Sequence, residues 1–306
     1  MHADPWLQDR GYARTGTSAK IEVQGEKGMN DSNRKSKRYC GKLQAVILDW
    51  AGTTVDYGSF SPIRAMQQVF ADEGITLSDE EVRRDMGLLK KDHIRSLLHL
   101  PNVAETWRRQ SGRLPTEADV EQLYRDFQPI QMARLERDSD VIPGVAEAAE
   151  RMRRRGLKIG STTGYTRPML EVLLRKSASQ GYKPDCSLVP DDVGGGRPMP
   201  WMCYEIALRL KVFPLESFAK VGDTVADTEE GLNAGMWTVG VVRTGNMVGL
   251  TQAEFGALSP AEQGKRLQAA RERLMEAGTH YVIDSVSDFD PVFDEIDRRL
   301  AQGERP

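Results

Sequence analysis

Gln44-Ala45-Val46-Ile47-Leu48-Asp49-Trp50-Ala51-Gly52-Thr53-Thr54-Val55-Asp56 is the stretch whose pattern sets the fold: a short, partly β-branched apolar run stops on a carboxylate and turns into small and hydroxyl-bearing residues. Ala45 to Leu48 reads as a strand buried on both faces of a parallel sheet, and parallel strands present their carboxyl ends to the ligand crevice. Asp49 falls at that end. A carboxylate there is a candidate nucleophile, because it can form an acyl-phosphate and split one hard transfer into two easier ones. A lone Asp after a strand also serves as an N-cap or loop residue. The stretch alone is compatible with both roles.

The chain has 306 residues, 39% apolar and 28% charged, enough to bury a full core in one large or two smaller domains. A formal charge of −3 gives no argument for nucleic acid or membrane as a partner. No apolar stretch approaches the ~18–20 residues of a spanning helix. Three cysteines, Cys40, Cys186 and Cys203, form an odd set without paired spacing, so neither a disulfide framework nor a zinc site is indicated and a reducing cytoplasm is the expected location. Residues 1–41 are polar and locally basic, with the cluster Arg34-Lys35-Ser36-Lys37-Arg38, and lack the apolar core of a signal peptide. They read as a disordered tail in preference to a nucleic-acid arm, with Met29 an alternative start.

From Pro62 to about Asp138 the chain is helical in pattern, broken at Gly74, Met86-Gly87, Pro101 and Pro115. This is an insert without strands. Beyond Val141 strands alternate with helices: a helix from Gly144 to Arg155, then strands at Leu157–Ser161 and near Cys186–Pro190, Phe218–Val221, Thr238–Val242 and Tyr281–Ile283. Such alternation predicts a doubly wound parallel α/β sheet. Gly194-Gly195-Gly196 lacks the Gly-Lys-Ser/Thr ending of a phosphate loop. The methionines and Trp50, Trp107, Trp201 and Trp237 read as core residues.

A second acidic run, Val221-Gly222-Asp223-Thr224-Val225-Ala226-Asp227, again puts a carboxylate just past an apolar strand, with another four residues on. Hard cations such as Mg²⁺ take oxygen ligands, so Asp49, Asp223 and Asp227 are candidate ligands of a phosphate-handling magnesium site. For either acid of the run taken alone, a capped turn is the simpler account.

The strand-end Asp49, the strand-end Thr163 and the Gly-Asp-x-x-x-Asp run follow the order of nucleophile, phosphate-hydroxyl and metal loops in the haloacid dehalogenase superfamily. More specifically, Asp49 to Gly58, Met86-Gly87-Leu88-Leu89-Lys90-x-Asp92-His93, Gly160 to Arg167, Gly196-Arg197-Pro198-x-Pro200-Trp201-Met202 and Gly222-Asp223-Thr224 resemble the phosphonatase (phosphonoacetaldehyde hydrolase) family. The resemblance runs from about residue 43 to the end. It implies a Rossmann-like core, residues 42–60 and 140–306, with a helical cap at 61–139. The reaction implied is hydrolysis of the carbon–phosphorus bond of phosphonoacetaldehyde, through a Lys90 imine and an aspartyl-phosphate on Asp49. It further implies Mg²⁺ at Asp49, Ala51, Asp223 and Asp227, a place in 2-aminoethylphosphonate degradation, and a homodimer formed through the caps.

The residue chemistry is consistent with that assignment. Related phosphatases carry a general acid two places after the nucleophile, where this chain has Ala51, which cannot donate a proton. Cleaving a carbon–phosphorus bond instead requires an electron sink, and a lysine condensed with an aldehyde is one if its amine is neutral enough to attack. The family motif, not the spacing, selects Lys90 over Lys91. His93, three residues on, either relays protons or is a surface or core histidine. Thr163 and Gly164 would bind phosphoryl oxygens and Arg197 would neutralise their charge. Ser59 departs from the family, which often has Cys there. Two other classes stay open: a phosphatase or phosphomutase of this fold, which Ala51 disfavours, and a silent phospho-ligand binder, which the full Asp49/Lys90/Asp223/Asp227 set disfavours.

Overall fold

A computed structural model describes residues 38–306, in which six parallel strands form one sheet in the order β3-β2-β1-β4-β5-β6. The strands are β1 (Ala45–Leu48), β2 (Lys158–Thr162), β3 (Cys186–Leu188), β4 (Phe218–Gly222), β5 (Trp237–Val241) and β6 (Tyr281–Ile283). β1 lies between β2 and β4, with Leu48 in register with Ser161 on one side and Val221 on the other. Its side chains alternate between two apolar clusters: Val46 and Leu48 join one with Met152 and Ile159, while Ala45 and Ile47 join another with Met202 and Ile206. Burial on both faces is why the run carries no polar residue until Asp49.

Between β1 and β2 the chain makes six helices and no strand, the first five being α1 (Phe60–Asp72), α2 (Asp79–Arg84), α3 (Lys90–Leu98), α4 (Pro101–Ser111) and α5 (Glu117–Asp138). Their boundaries follow local chemistry. The Asp56 carboxylate accepts the backbone N–H groups of Phe60 and Ser61 and so caps α1. A reciprocal Ser78/Glu81 capping box opens α2, Pro101 occupies the first turn of α4, and Gly112 ends α4 in the left-handed region. The apolar stripe of α1, through Ile63, Met66 and Phe70, continues into the cluster that holds Leu48.

The remaining helices are α6 (Val145–Arg154), α7 (Arg167–Ser179), α8 (Trp201–Leu210), α9 (Val225–Asn233), α10 (Gln252–Ala257), α11 (Pro260–Glu276) and α12 (Asp290–Ala301). Two expectations about packing change. Trp201, read as core, is 46% exposed at the start of α8, because its neighbours Met202 and Cys203 take the inward positions of that turn. Met199 and Met275 are likewise exposed. Tyr39 packs on the core and its hydroxyl accepts from Gln44 Nε2 at 2.9 Å, whereas most of the basic cluster and Met29 lie outside the described residues. Among the described residues no helix is long and apolar enough to cross a membrane, and all three cysteines are free.

Candidate active site

Three adjacent parallel strands deliver the functional side chains to one sheet edge. Asp49 follows β1, Asp223 follows β4 and Thr163 follows β2, so the register that pairs these strands also gathers the residues past their carboxyl ends. The Asp49 amide donates to the Val221 carbonyl at 2.9 Å. The following turn closes tightly over the second acid. Gly52 has φ +83°, and a Cβ there would stand 2.3 Å from Asp223 Oδ2, so glycine is required on both counts. Thr53 Oγ1 donates to Asp223 Oδ1 at 2.9 Å and the Asn246 amide donates to Oδ2 at 2.6 Å.

Asp49, Asp223 and Asp227 are all buried, each offering an oxygen within 4.8 Å of the others. Beneath them runs a charge layer. Arg197 reaches Asp49 at 2.6 Å, Asp227 at 3.0 Å and Glu230 at 3.0 Å, while Lys220 reaches Asp227 at 2.7 Å and Glu230 at 3.3 Å. Burial pushes the Asp49 and Asp223 carboxyls above their usual range, Arg197 opposing this at Asp49 and the neighbouring carboxylates adding to it at Asp223. Burial also acts on Asp227, but Arg197 and Lys220 outweigh it and hold this carboxyl below its usual range. The group therefore has four carboxylates against two cationic side chains, with the compensation concentrated on Asp227. An all-oxygen, acid-rich set of this kind fits a hard divalent cation, with Asp223 the acid least compensated by protein charge. Ala51, having no side-chain donor atom, could reach such an ion only through its backbone carbonyl.

The opposite wall of the same cavity, about 30 Å³ in volume, comes from the helical insert: Met86, Gly87 and Lys90 line it together with Asp49, Thr163, Gly164 and Arg197. Lys90 opens α3, its Nζ 3.6 Å from Met86 Sδ and 5.5 Å from the centroid of the Tyr165 ring. Burial drives its pKa down to about 8, with Arg197 assisting and Asp49 opposing. At pH 7.5 roughly a quarter of such an amine is neutral, against about one part in a thousand for an ordinary lysine. Lys91, beside it, turns outward to Glu121 at 2.6 Å.

His93 lies behind Lys90 and does not line the cavity. It is fully buried, neither ring nitrogen makes a well-formed hydrogen bond among the described residues, and burial together with the Lys90 charge lowers its pKa to about 3. It is a neutral side chain outside the cavity lining. Thr163 and Gly164 do line the cavity, and Gly164 sits so close to the insert that a Cβ would approach the Leu88 carbonyl to 3.1 Å. Ser59 is buried in the wall at φ 55°, a left-handed position at the head of α1. Glu230 and Lys220, the lower half of the charge layer, were not singled out from the sequence.

The model of one protein family, haloacid dehalogenase-like hydrolase, matches residues 43–235. Among curated proteins, the chain is 46% identical to a phosphonoacetaldehyde hydrolase of Bacillus cereus over 258 residues, 84% of this chain and 98% of that protein. The phosphonoacetaldehyde hydrolase of Bacillus anthracis is 46% identical over the same share of each chain. Among solved structures, a phosphonoacetaldehyde hydrolase-like protein from Oleispira antarctica superposes with a TM-score of 0.86 at 43% identity, covering 88% of this chain and 98% of that one. A hydrolase from Pseudomonas syringae, at a TM-score of 0.61 and 19% identity over 83% of this chain and 99% of its own, shares the fold.

Proposed function

The chain belongs to the haloacid dehalogenase-like hydrolases, and within them to the phosphonoacetaldehyde hydrolase family; from that premise we propose that it hydrolyses phosphonoacetaldehyde to acetaldehyde and phosphate. The observation that carries the proposal is one cavity walled by Asp49 on one side and a buried, readily neutral Lys90 on the other, with alanine at position 51.

In the proposed sequence the Lys90 amine adds to the aldehyde carbonyl and loses water, giving an iminium. The Asp49 carboxylate then attacks phosphorus, and the carbon–phosphorus electron pair moves into the iminium to leave an enamine. Arg197, the Thr163 hydroxyl and the backbone N–H groups at Gly164 hold the phosphoryl oxygens and counter their charge. Protonation of the enamine carbon and hydrolysis free acetaldehyde and Lys90, and water releases phosphate from Asp49. Asp49, Asp223 and Asp227, with the Ala51 carbonyl beside them, would hold Mg²⁺, which when bound supplies further charge neutralisation at the phosphoryl group. A neutral His93 packed behind Lys90 adds to the desolvation that keeps the amine reactive. The division into core, residues 42–60 and 140–306, and cap, 61–139, belongs to the same reading, with acids from one and lysine from the other. So do a homodimer formed through the caps, a cytoplasmic location, and a role in 2-aminoethylphosphonate degradation; these rest on the family resemblance.

Borohydride reduction in the presence of phosphonoacetaldehyde, followed by peptide mapping, tests the proposal. The expected product is a secondary amine on Lys90. Because the folded lysine titrates at about 8, protonation below that pH removes the nucleophile, so trapping should slow as pH falls through 8 and level off above it. Label on Lys91, or none at all, would overturn the imine. Metal removal gives a separate check. Turnover is expected to cease in excess chelator and return with Mg²⁺, and full activity in chelator would refute the assigned role of the acid cluster.

A further inference from the structure

Arg83, in the last turn of α2, is a side chain whose bonding the proposed reaction does not use. Its guanidinium leaves the helical insert and donates to the Gly58 carbonyl at 2.7 Å, to the Asn246 carbonyl and Oδ1, both at 3.2 Å, and to the Gly249 carbonyl at 3.3 Å. Asn246 answers through Nδ2, which donates to the Arg83 carbonyl at 3.1 Å. The guanidinium also lies 4.9 Å from the centroid of the Phe60 ring. Gly249, at φ +61°, is shaped around it: a Cβ there would stand 2.6 Å from Arg83 Nε.

These acceptors belong to two different segments outside the insert, the turn leading out of β1 and the loop after β5. All four hydrogen bonds end on neutral oxygens, and in so geometric an arrangement the planar fork of arginine is not replaceable by a simple positive charge. The same loop holds the site from below, since the Asn246 amide donates to Asp223 Oδ2 at 2.6 Å. Only two residues separate Arg83 from Met86 in the cavity wall, and Lys90 lies four residues beyond Met86.

We propose that Arg83 is a positioning residue that pins the lysine-bearing insert onto the acid-bearing sheet edge through Asn246 and Gly249, and so sets the approach of Lys90 to Asp49. The inference rests on the reading of those two residues as partners in one reaction, but its test does not need turnover. Ligand-free protein is treated with a water-soluble amine-acylating reagent, and labelling of Lys90 and Lys91 is followed by peptide mapping. In the native chain Lys90 is protected by the insert's closure, while Lys91 is an internal reference on the same helix.

Arg83→Ala is expected to raise the Lys90/Lys91 labelling ratio on the order of tenfold, as an opening equilibrium loses its charged hydrogen bonds. Asn246→Ala should move it the same way and Arg83→Lys should restore it only in part. Arg64→Ala is the control: this arginine also stacks on Phe60, at 5.3 Å, but its polar partners Gln67 and Asp79 are in the insert. An unchanged ratio in folded Arg83→Ala would overturn the proposal, as would an equal rise in Arg64→Ala. Should Arg83→Ala not fold, an unchanged ratio in Asn246→Ala overturns it instead. Failure of borohydride trapping, with these ratios as expected, would leave the pin standing and remove the imine.

Discussion

Lys90→Arg is expected to lower carbon–phosphorus cleavage by about 10³-fold or more, the scale of losing a covalent catalytic group, while Lys91→Arg leaves turnover nearly unchanged. A guanidinium keeps the charge but cannot form an imine at neutral pH. The adjacent lysine is the natural control, because it has the same residue type on the same helix but faces Glu121 and not the cavity. Ala51 makes the complementary case. With no carboxyl two places past Asp49, an alkoxide leaving group would depart unprotonated, so simple phosphate monoesters should be turned over only feebly. Steady-state rates on phosphonoacetaldehyde and on a sugar phosphate, for the native chain and both variants, decide between the readings. Faster sugar-phosphate turnover indifferent to Lys90 would hand the chain to the phosphatase class, and no turnover of either would make it a binder.

Much of the fold is legible because the central strands β1, β4 and β5 are buried on both faces and the edge strand β6 is still an apolar run. Ala45–Leu48 and Tyr281–Ile283 fall where the apolar runs do, and the insert breaks near its glycines and prolines, which set helix ends by local chemistry. The site is less legible, because its members are selected by tertiary direction. Nothing in the pair Lys90-Lys91 tells which amine is buried; the helix phase against the sheet edge decides it, and only the family motif anticipates that choice. Lys220 did carry a signal: a lysine inside the buried strand Phe-Ala-Lys-Val-Gly needs a carboxylate partner, and it has two. Glu230 carried none, since Glu229 beside it is chemically identical and only the turn of α9 sends one of them beneath Arg197. His93 shows the converse. Its spacing from Lys90 suggested a shared face, yet the face is deep enough that the ring ends in the core behind the amine.

Asp49→Asn should abolish turnover, on the order of 10⁴-fold or more, because an amide neither attacks phosphorus nor binds a hard cation well. Its more discriminating consequence concerns the lysine. In the native arrangement Asp49 supports the charged form of Lys90, whereas burial and Arg197 oppose it. Removing the carboxylate deletes that support without weakening the two opposing effects, and it also leaves Arg197 less neutralised, since the 2.6 Å pair with Asp49 is lost. Both changes act in one direction: the Lys90 pKa should fall below its value of about 8, so the neutral amine persists to lower pH. Imine formation should therefore survive in Asp49→Asn while phosphate release does not, and borohydride trapping on Lys90 should shift its midpoint toward acid. Retained turnover would remove the aspartyl-phosphate from the reaction. A midpoint shifted toward alkali would show that Asp49 and Lys90 do not share the electrostatics of one cavity.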